Sequence, residues 1–303
     1  MASSNPAFNN PAFQDPRAVK SYPGGSNAAG IGLTPPPAQP VAPGVQAGLE
    51  GAYAGPPAGA AETGRMTIED TVHKTIGLFA ILLVGAVAGW FVTLGGTFIP
   101  TEAEVLSVAP MLVGALVGFV LSLVVIFTSR KKVRPALIFA YAAFEGIFVG
   151  GISAFFEFQW SGIVIQATLA TLAVVGVTLA LFASGKVRAS KKATKIFLIA
   201  MFGYLAFSLL NVVLMLFNVF PADQMFGLRS QPIFGIPLGL ILGVLVVIMA
   251  AYSLVLDFDT IQQGVRNGAP RVFGWLGGFG IMVTVVWLYL EILRMIAILR
   301  GNN

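Results

Sequence analysis

Residues 273–299 read FGWLGGFGIMVTVVWLYLEILRMIAIL, and Glu291 and Arg294 are the only charged side chains among them. A hydrocarbon core of ~30 Å is crossed by ~20 apolar residues in a helix. The stretch is therefore long enough to span a bilayer. Its continuous apolar character favours a helix, because the strands of membrane barrels are short and alternate between apolar and polar residues.

Six further stretches share these properties, and the whole composition agrees with them. Of the 303 residues, 56% are hydrophobic and 10% are charged, against about 25% charged in soluble domains. We therefore predict an all-α, polytopic membrane protein with seven transmembrane helices and the lipid bilayer as its main partner. The other six predicted spans are 75–98, 107–128, 135–156, 161–183, 195–219 and 233–256.

Basic residues are distributed unequally between the two sides of these spans. Fifteen of the 18 Lys and Arg residues lie in the amino-terminal segment or in the 2–3, 4–5 and 6–7 loops. The remaining three are Arg229, Arg294 and Arg300. Because basic loops stay in the cytoplasm, the amino terminus is expected to be cytoplasmic, and we expect a multi-pass protein of the cell membrane.

Residues 1–64 differ from the rest of the chain, being rich in Pro, Gly and Ala. Such a segment buries too little apolar surface to offset its conformational entropy, and we predict a disordered cytoplasmic tail. Its tandem Asn5-Pro-Ala-Phe8 and Asn10-Pro-Ala-Phe13 is either low-complexity sequence or a docking motif. Thr67 is a candidate helix cap, so a transmembrane domain over 65–303 is expected to follow the tail.

Several classes of function are excluded by composition. The chain has no cysteine and a single histidine, His73, which leaves no thiolate nucleophile and argues against a histidine metal site or a Ser-His-Asp triad. No Lys in 273–299 could carry a retinal Schiff base. The basic residues occur in short interhelical clusters, which serve orientation and do not indicate nucleic-acid binding. We expect no enzyme activity and no cofactor.

Ionisable residues inside the spans are the functional candidates, because charge in lipid is unfavourable unless it is paired or solvated. Glu145 lies deep in the third span, and is either functional or a protonated acid bonded to one neighbour. Asp257 and Asp259 close the predicted sixth span, where they face different sides of the helix and are either functional or solvated at its end. Glu291 lies in the seventh span, and it is either neutralised by Arg294, three residues later on the same helix, or functional as a sensor.

Two buried carboxyls that approach each other share a proton and titrate as a unit. A protonated pair holds two helices together, whereas an ionised pair separates them and opens a path that attracts cations. The pattern therefore predicts a pH sensor formed by two of the four acids, Glu145, Asp257, Asp259 and Glu291, with Arg294 in a secondary position.

Two short motifs make the chain resemble the Bax inhibitor-1 family, also called the transmembrane Bax inhibitor motif family, and in particular its bacterial members. They are Phe258-Asp-Thr-Ile-Gln262 at the sixth helix and Leu288-Tyr-Leu-Glu-Ile292 in the seventh, and the resemblance covers roughly residues 66–300. It implies six helices around a central seventh and a pH-dependent calcium leak. By this resemblance Asp259 and Glu291 form the gating pair.

The spacing of these two acids is hard to reconcile with direct contact. In a straight last helix Glu291 lies ~27 Å from the cytoplasmic end, whereas Asp259 lies near that end. Either the glycine-rich stretch 274–280 breaks or tilts the helix, or Glu291 has another partner. We propose Glu145 as that partner, with Asp257 and Asp259 forming the cytoplasmic mouth.

Two functions are consistent with the sequence. The first is a channel or leak for calcium or another cation, gated by carboxylate protonation. The second is a non-conducting regulator that binds other membrane proteins, such as a quality-control protease, through its tail.

Overall fold

The computed structural model describes residues 63–221 and 224–301, and seven long helices account for most of them. Each is long and apolar enough to cross a bilayer, which confirms the predicted all-α fold with seven transmembrane helices. Except for residues 63 and 64, the predicted disordered tail lies outside the described residues. The helices are α1 Ile68–Thr93, α2 Ala109–Ser129, α3 Pro135–Gln159, α4 Ile163–Ala183, α5 Lys191–Leu216, α6 Leu238–Arg266 and α7 Phe273–Gly301.

The ends of α1 and α6 follow local rules. The Thr67 side chain accepts a hydrogen bond of 3.1 Å from the Asp70 amide, so the expected cap of α1 is confirmed. α6 does not end at residue 256 as predicted but continues to Arg266. It stops at Gly268, whose φ of 69° is left-handed, a conformation that suits glycine after a helix. Asp257 consequently lies within α6 and not at its end.

α7 is the central helix, as the family resemblance implied. More of its apolar window is buried than in any other span (56%), and it packs against α1, α3, α4 and α6. α5 lies at the periphery, with 11% of its window buried. Side chains that reach α7 therefore lie in the interior of the bundle.

The glycine-rich stretch 274–280 does not break α7, which is one helix from Phe273 to Gly301. Its glycines let neighbouring helices approach. A Cβ at Gly278 would lie 2.9 Å from Thr75 Oγ1, and one at Gly277 would lie 3.1 Å from Ile261 Cγ1. The possibility of a broken helix is therefore wrong, because these glycines serve contacts with α1 and α6.

The connection between α5 and α6 contains a 3-10 turn, Gly227–Ser230, and a short antiparallel hairpin, β1 Pro232–Ile233 and β2 Ile236–Pro237. The turn lies against the beginning of α6, where a Cβ at Gly239 would be 3.0 Å from the Arg229 carbonyl oxygen. The connection thus folds back onto the bundle and carries the Arg229 side chain into it.

Candidate functional site

Asp257 lies in the interior of the bundle and is bonded to the central helix. Its carboxyl group has no exposed surface, and it accepts a hydrogen bond of 2.6 Å from the Thr284 hydroxyl of α7. The Ser253 hydroxyl, one turn earlier on α6, is 3.5 Å from the Thr284 hydroxyl. A solvated position for Asp257 is therefore excluded, and the residue links α6 to α7.

Asp259 faces another side of α6. It is partly exposed, and its carboxylate accepts a hydrogen bond of 2.8 Å from Gln263 of the same helix. The two aspartates face different sides of α6, as their spacing predicted, and the one that points inward is Asp257.

The register between α6 and α7 separates Asp259 from Glu291. The helices are antiparallel, with Asp257 beside Thr284 and Gly243 beside Met295. Asp259 therefore lies opposite about residue 281, ~15 Å along the axis from Glu291. The gating pair implied by the family resemblance is not formed in this conformation.

Glu145 lies on the other side of the bundle and is partly buried. It interacts with Tyr141, one turn earlier on α3, and its Oε2 is 3.0 Å from the position of a Cβ at Gly118 of α2. No hydrogen bond joins Glu145 to Glu291, so the pair that we proposed from the sequence is wrong.

The physical reason is the parallel packing of α3 and α7. The Tyr141 and Phe279 rings are 4.9 Å apart, and the Ser153 and Tyr289 hydroxyls are 2.6 Å apart. Residue 145 is thereby level with about residue 282, ~13 Å below Glu291 along the axis.

Glu291 belongs instead to a polar group near the carboxyl-terminal end of α7, which we call the arginine cluster: Tyr204, Ser208, Arg229, Glu291 and Arg294. The Glu291 carboxylate forms an ion pair with Arg294 and accepts a hydrogen bond of 2.9 Å from the Tyr204 hydroxyl. Arg294 also donates to that hydroxyl, at 2.6 Å. Neutralisation of Glu291 by Arg294 is thus confirmed.

Arg229 completes the arginine cluster. It is 7% exposed and donates hydrogen bonds to the Ser208 hydroxyl at 2.7 Å and to the Tyr204 hydroxyl at 3.4 Å. Arg229 and Tyr204 were not among the residues predicted from the sequence. One signal existed, because Arg229 is the only basic residue in the loops predicted to face away from the cytoplasm.

A second ionic group, which was not predicted from the sequence either, lies at the amino-terminal end of α7. We call it the latch, and its members are Asp70, Lys74 and Arg271. Asp70 pairs with both cations, accepting 2.8 and 2.9 Å hydrogen bonds from Arg271. Lys74 is 7% exposed and also donates to the Arg271 carbonyl oxygen at 2.6 Å. Next to it, the Met66 amide donates a 2.7 Å hydrogen bond to the Ala269 carbonyl. The latch therefore fastens the start of α1 to the α6–α7 connection.

A cavity of about 620 Å³ lies between α1, α3, α4 and α7. Its lining is mainly apolar. Of its polar members, Ser153 and Tyr289 are bonded to each other and Thr171 donates to the Ala167 carbonyl, while Thr168 is the fourth. Such a surface suits lipid chains and not a hydrated cation. Among the described residues, no three His, Asp or Glu side chains are placed to hold a metal ion.

Comparison with known proteins agrees with the motifs quoted above. The sequence model of a family described as Bax inhibitor 1 like matches residues 5–301, so the match includes most of the amino-terminal segment that we expected it to leave out. Neither the curated proteins nor the solved structures that were compared gave a significant match. With seven apolar spans and a family match over nearly its whole length, the chain belongs to the Bax inhibitor 1 like family of multi-pass membrane proteins.

Proposed function

We propose that this protein is a leak pathway for calcium or a similar cation across the cell membrane, and that the protonation of Asp257 controls its opening. The observation that carries the proposal is the position of Asp257, which has no exposed surface and is bonded to Thr284 of the central helix. A carboxyl group at such a position in a membrane protein is unfavourable for the fold and marks functional sites.

The proposed mechanism depends on the charge at this contact. With a proton on Asp257, the bond to Thr284 is a neutral contact that holds α6 against α7. Loss of the proton leaves a negative charge in a low-dielectric interior, at an energetic cost of several kcal/mol. Entry of water and a cation between the two helices relieves that cost, so the leak increases as pH rises. In the proposed closed state Asp257 has no accessible surface, which agrees with its burial here.

Two further carboxyls lie at a similar height, Asp259 on another side of α6 and Glu145 against α2 on the other side of the bundle. Asp259 is level with about residue 281 of α7 and Glu145 with about residue 282, close to Thr284 in height. Acidic side chains at one level raise the local concentration of cations. Glu291 lies farther along α7 and acts as the counterion of Arg294, so in this proposal it takes no part in gating.

Calcium flux in proteoliposomes tests the proposal. Asp257→Asn should flatten the pH dependence of the leak, whereas Asp259→Asn should retain it, because Asp259 is partly exposed and bonded only within α6. Thermal unfolding of both variants establishes that they are folded. An unchanged pH profile in folded Asp257→Asn contradicts the gating mechanism, and absence of flux from the wild-type protein contradicts the leak.

The second candidate function is a non-conducting regulator that binds other membrane proteins, for example a quality-control protease. It is favoured by one observation: the family match begins at residue 5, within the segment that would serve as a handle. Deletion of residues 1–62 tests it and spares Gly64, whose carbonyl accepts a hydrogen bond from Arg271. Loss of cellular function with unchanged flux favours the regulator, and retention of cellular function contradicts it.

A further inference from the structure

The arginine cluster does not balance its own charge. Among the described residues it contains two guanidinium groups and one carboxylate, a formal sum of +1, and the one ion pair within it joins Arg294 to Glu291. Arg229 is 7% exposed and has neutral partners, namely two hydroxyls and the faces of Tyr204 and Phe207 at 5.7 and 5.3 Å. An excess charge at such a depth is unfavourable unless an ion from outside the chain compensates it.

The arginine cluster also has hydrogen-bond donors to spare. The Nε atoms of Arg229 and Arg294 are buried and have no hydrogen-bond partner. A guanidinium group presents its donors as a planar fork that fits the oxygen atoms of a carboxylate or a phosphate. Glu291 Oε1 likewise has no hydrogen-bond partner, and its charge would repel an anion. The position beside Arg229 is therefore the more favourable one.

Two helix ends lie near the arginine cluster. Arg229 packs beside the start of α6, where its Cβ would be 3.1 Å from a Cβ at Gly239. The amino-terminal end of a helix carries a partial positive charge that favours anions, whereas the carboxyl-terminal end of the antiparallel α7, at the same level, carries the opposite charge. The positive potential of the site therefore comes from the two guanidinium groups.

We propose that Arg229 and Arg294 bind a phosphate-type oxyanion, with Arg229 as the principal ligand. The anion supplies the missing negative charge and accepts the spare Nε–H bonds. This site is independent of the leak, since it lies on different residues and requires no passage of cations.

The position of the arginine cluster indicates how an anion reaches it. Arg294 precedes the end of α7 by seven residues, which is ~10 Å along the axis, and its side chain is 21% exposed. α5, which carries Tyr204 and Ser208, is the least buried span. A lipid phosphate at the membrane surface lies within reach of a long basic side chain, whereas a free phosphate enters from the adjacent water.

Two binding measurements on the purified full-length protein distinguish these sources. The first titrates inorganic phosphate into the protein in a neutral detergent. The second compares thermal unfolding in nanodiscs of phosphatidylcholine with and without phosphatidylglycerol. Stabilisation by phosphatidylglycerol alone assigns the site to a lipid headgroup. Binding of inorganic phosphate assigns it to a free oxyanion. If neither stabilisation nor binding is observed, the proposal is wrong.

Variants connect the effect to the arginine cluster. Arg229→Gln should weaken binding at least about tenfold, as expected for loss of a charge-assisted bidentate contact. Arg229→Lys keeps the charge without the planar fork, should retain the fold, and should bind with intermediate strength. Arg300→Gln is the matched control, because Arg300 is at the same end of α7 but bonds to the Ser161 carbonyl. Equal loss in Arg300→Gln and Arg229→Gln, or wild-type binding in Arg229→Gln, overturns the proposal.

Asp223 needs a separate experiment, since it belongs in sequence to the same connection between α5 and α6 as Arg229 and lies outside the described residues. Asp223→Asn should bind phosphate as the wild-type protein does. If the wild-type protein binds none and Asp223→Asn does, that carboxylate already occupies the site, and the proposal is wrong.

Discussion

The Thr284 hydroxyl donates a hydrogen bond of 2.6 Å to the Asp257 carboxyl group, and both side chains are buried between α6 and α7. The central helix is thereby joined to its antiparallel neighbour by a polar contact within a mainly apolar interface. An apolar interface of this kind tolerates small shifts between helices, whereas a buried hydrogen bond is lost when its two atoms separate. The contact is therefore suited to hold one arrangement of the two helices.

Replacing Thr284 by Val should destabilise the protein while keeping the shape of the side chain. The variant removes a donor from a buried carboxyl group, a loss worth about 1–3 kcal/mol. The free energy of unfolding, measured by denaturant titration in detergent micelles, checks this value. Thr284→Ser keeps the hydroxyl and is the control. If the Val and Ser variants are equally stable, the hydrogen bond does not hold α6 to α7.

Replacing Glu291 by Gln should destabilise the protein but leave the pH dependence of the leak unchanged. The carboxylate is 2% exposed and balances Arg294, and removing one partner of a buried pair costs about 3–5 kcal/mol. The double variant Glu291→Gln with Arg294→Gln should recover part of this loss. Unfolding and calcium flux are measured on the same preparations.

Glu104→Gln serves as the control for this series, because Glu104 is exposed and in the 1–2 connection. If Glu291→Gln flattens the pH profile of the leak and Asp257→Asn retains the wild-type profile, then Glu291 is the pH sensor. The assignment of that role to Asp257 would be wrong.

The sequence was sufficient for features that depend on nearby residues. Seven apolar stretches identified the seven helices, Thr67 was recognised as a cap, and the Glu291–Arg294 pair follows from a spacing of three residues on one helix. In each case the partners are close in the chain, so helix geometry alone brings them together.

Features that depend on the register between helices were not accessible in the same way. Tyr204 reaches Glu291 across 87 residues of sequence, and the levels of Glu145 and Asp259 relative to Glu291 depend on where neighbouring helices pack against the glycines of α7. Hydropathy does not determine such offsets. Hydropathy also predicts that α6 ends at the first charged residue, Asp257, because charge ends an apolar run. The helix itself continues until a residue such as Gly268 ends it.

Replacing Gly150 by Ala should separate α1 from α3. A Cβ at Gly150 would lie 2.6 Å from the Ala86 carbonyl carbon, and since backbone cannot move aside as a flexible side chain does, we expect a loss of about 1–3 kcal/mol. Gly176→Ala is the matched control within α4, where nothing lies within 4 Å of an added Cβ. Thermal unfolding of both variants in nanodiscs measures the difference, and equal melting temperatures would show that the two helices are not in close contact.

Replacing Asp70 by Asn should open the latch, because Lys74 then retains its charge at 7% exposure without an acidic partner. The loss should be smaller than the about 3–5 kcal/mol of a fully buried pair, since the Arg271 side chain is 47% exposed. The effect should be local. Amide hydrogen exchange should accelerate at Met66, whose amide bonds to the Ala269 carbonyl, while the interior of α7 stays protected. Glu69→Gln, a change at an exposed neighbour, should alter neither the free energy of unfolding nor the exchange rate at Met66. Uniform acceleration along the chain would mean that Asp70 supports the whole bundle, and unchanged exchange would mean that the ion pairs do not fasten the start of α1.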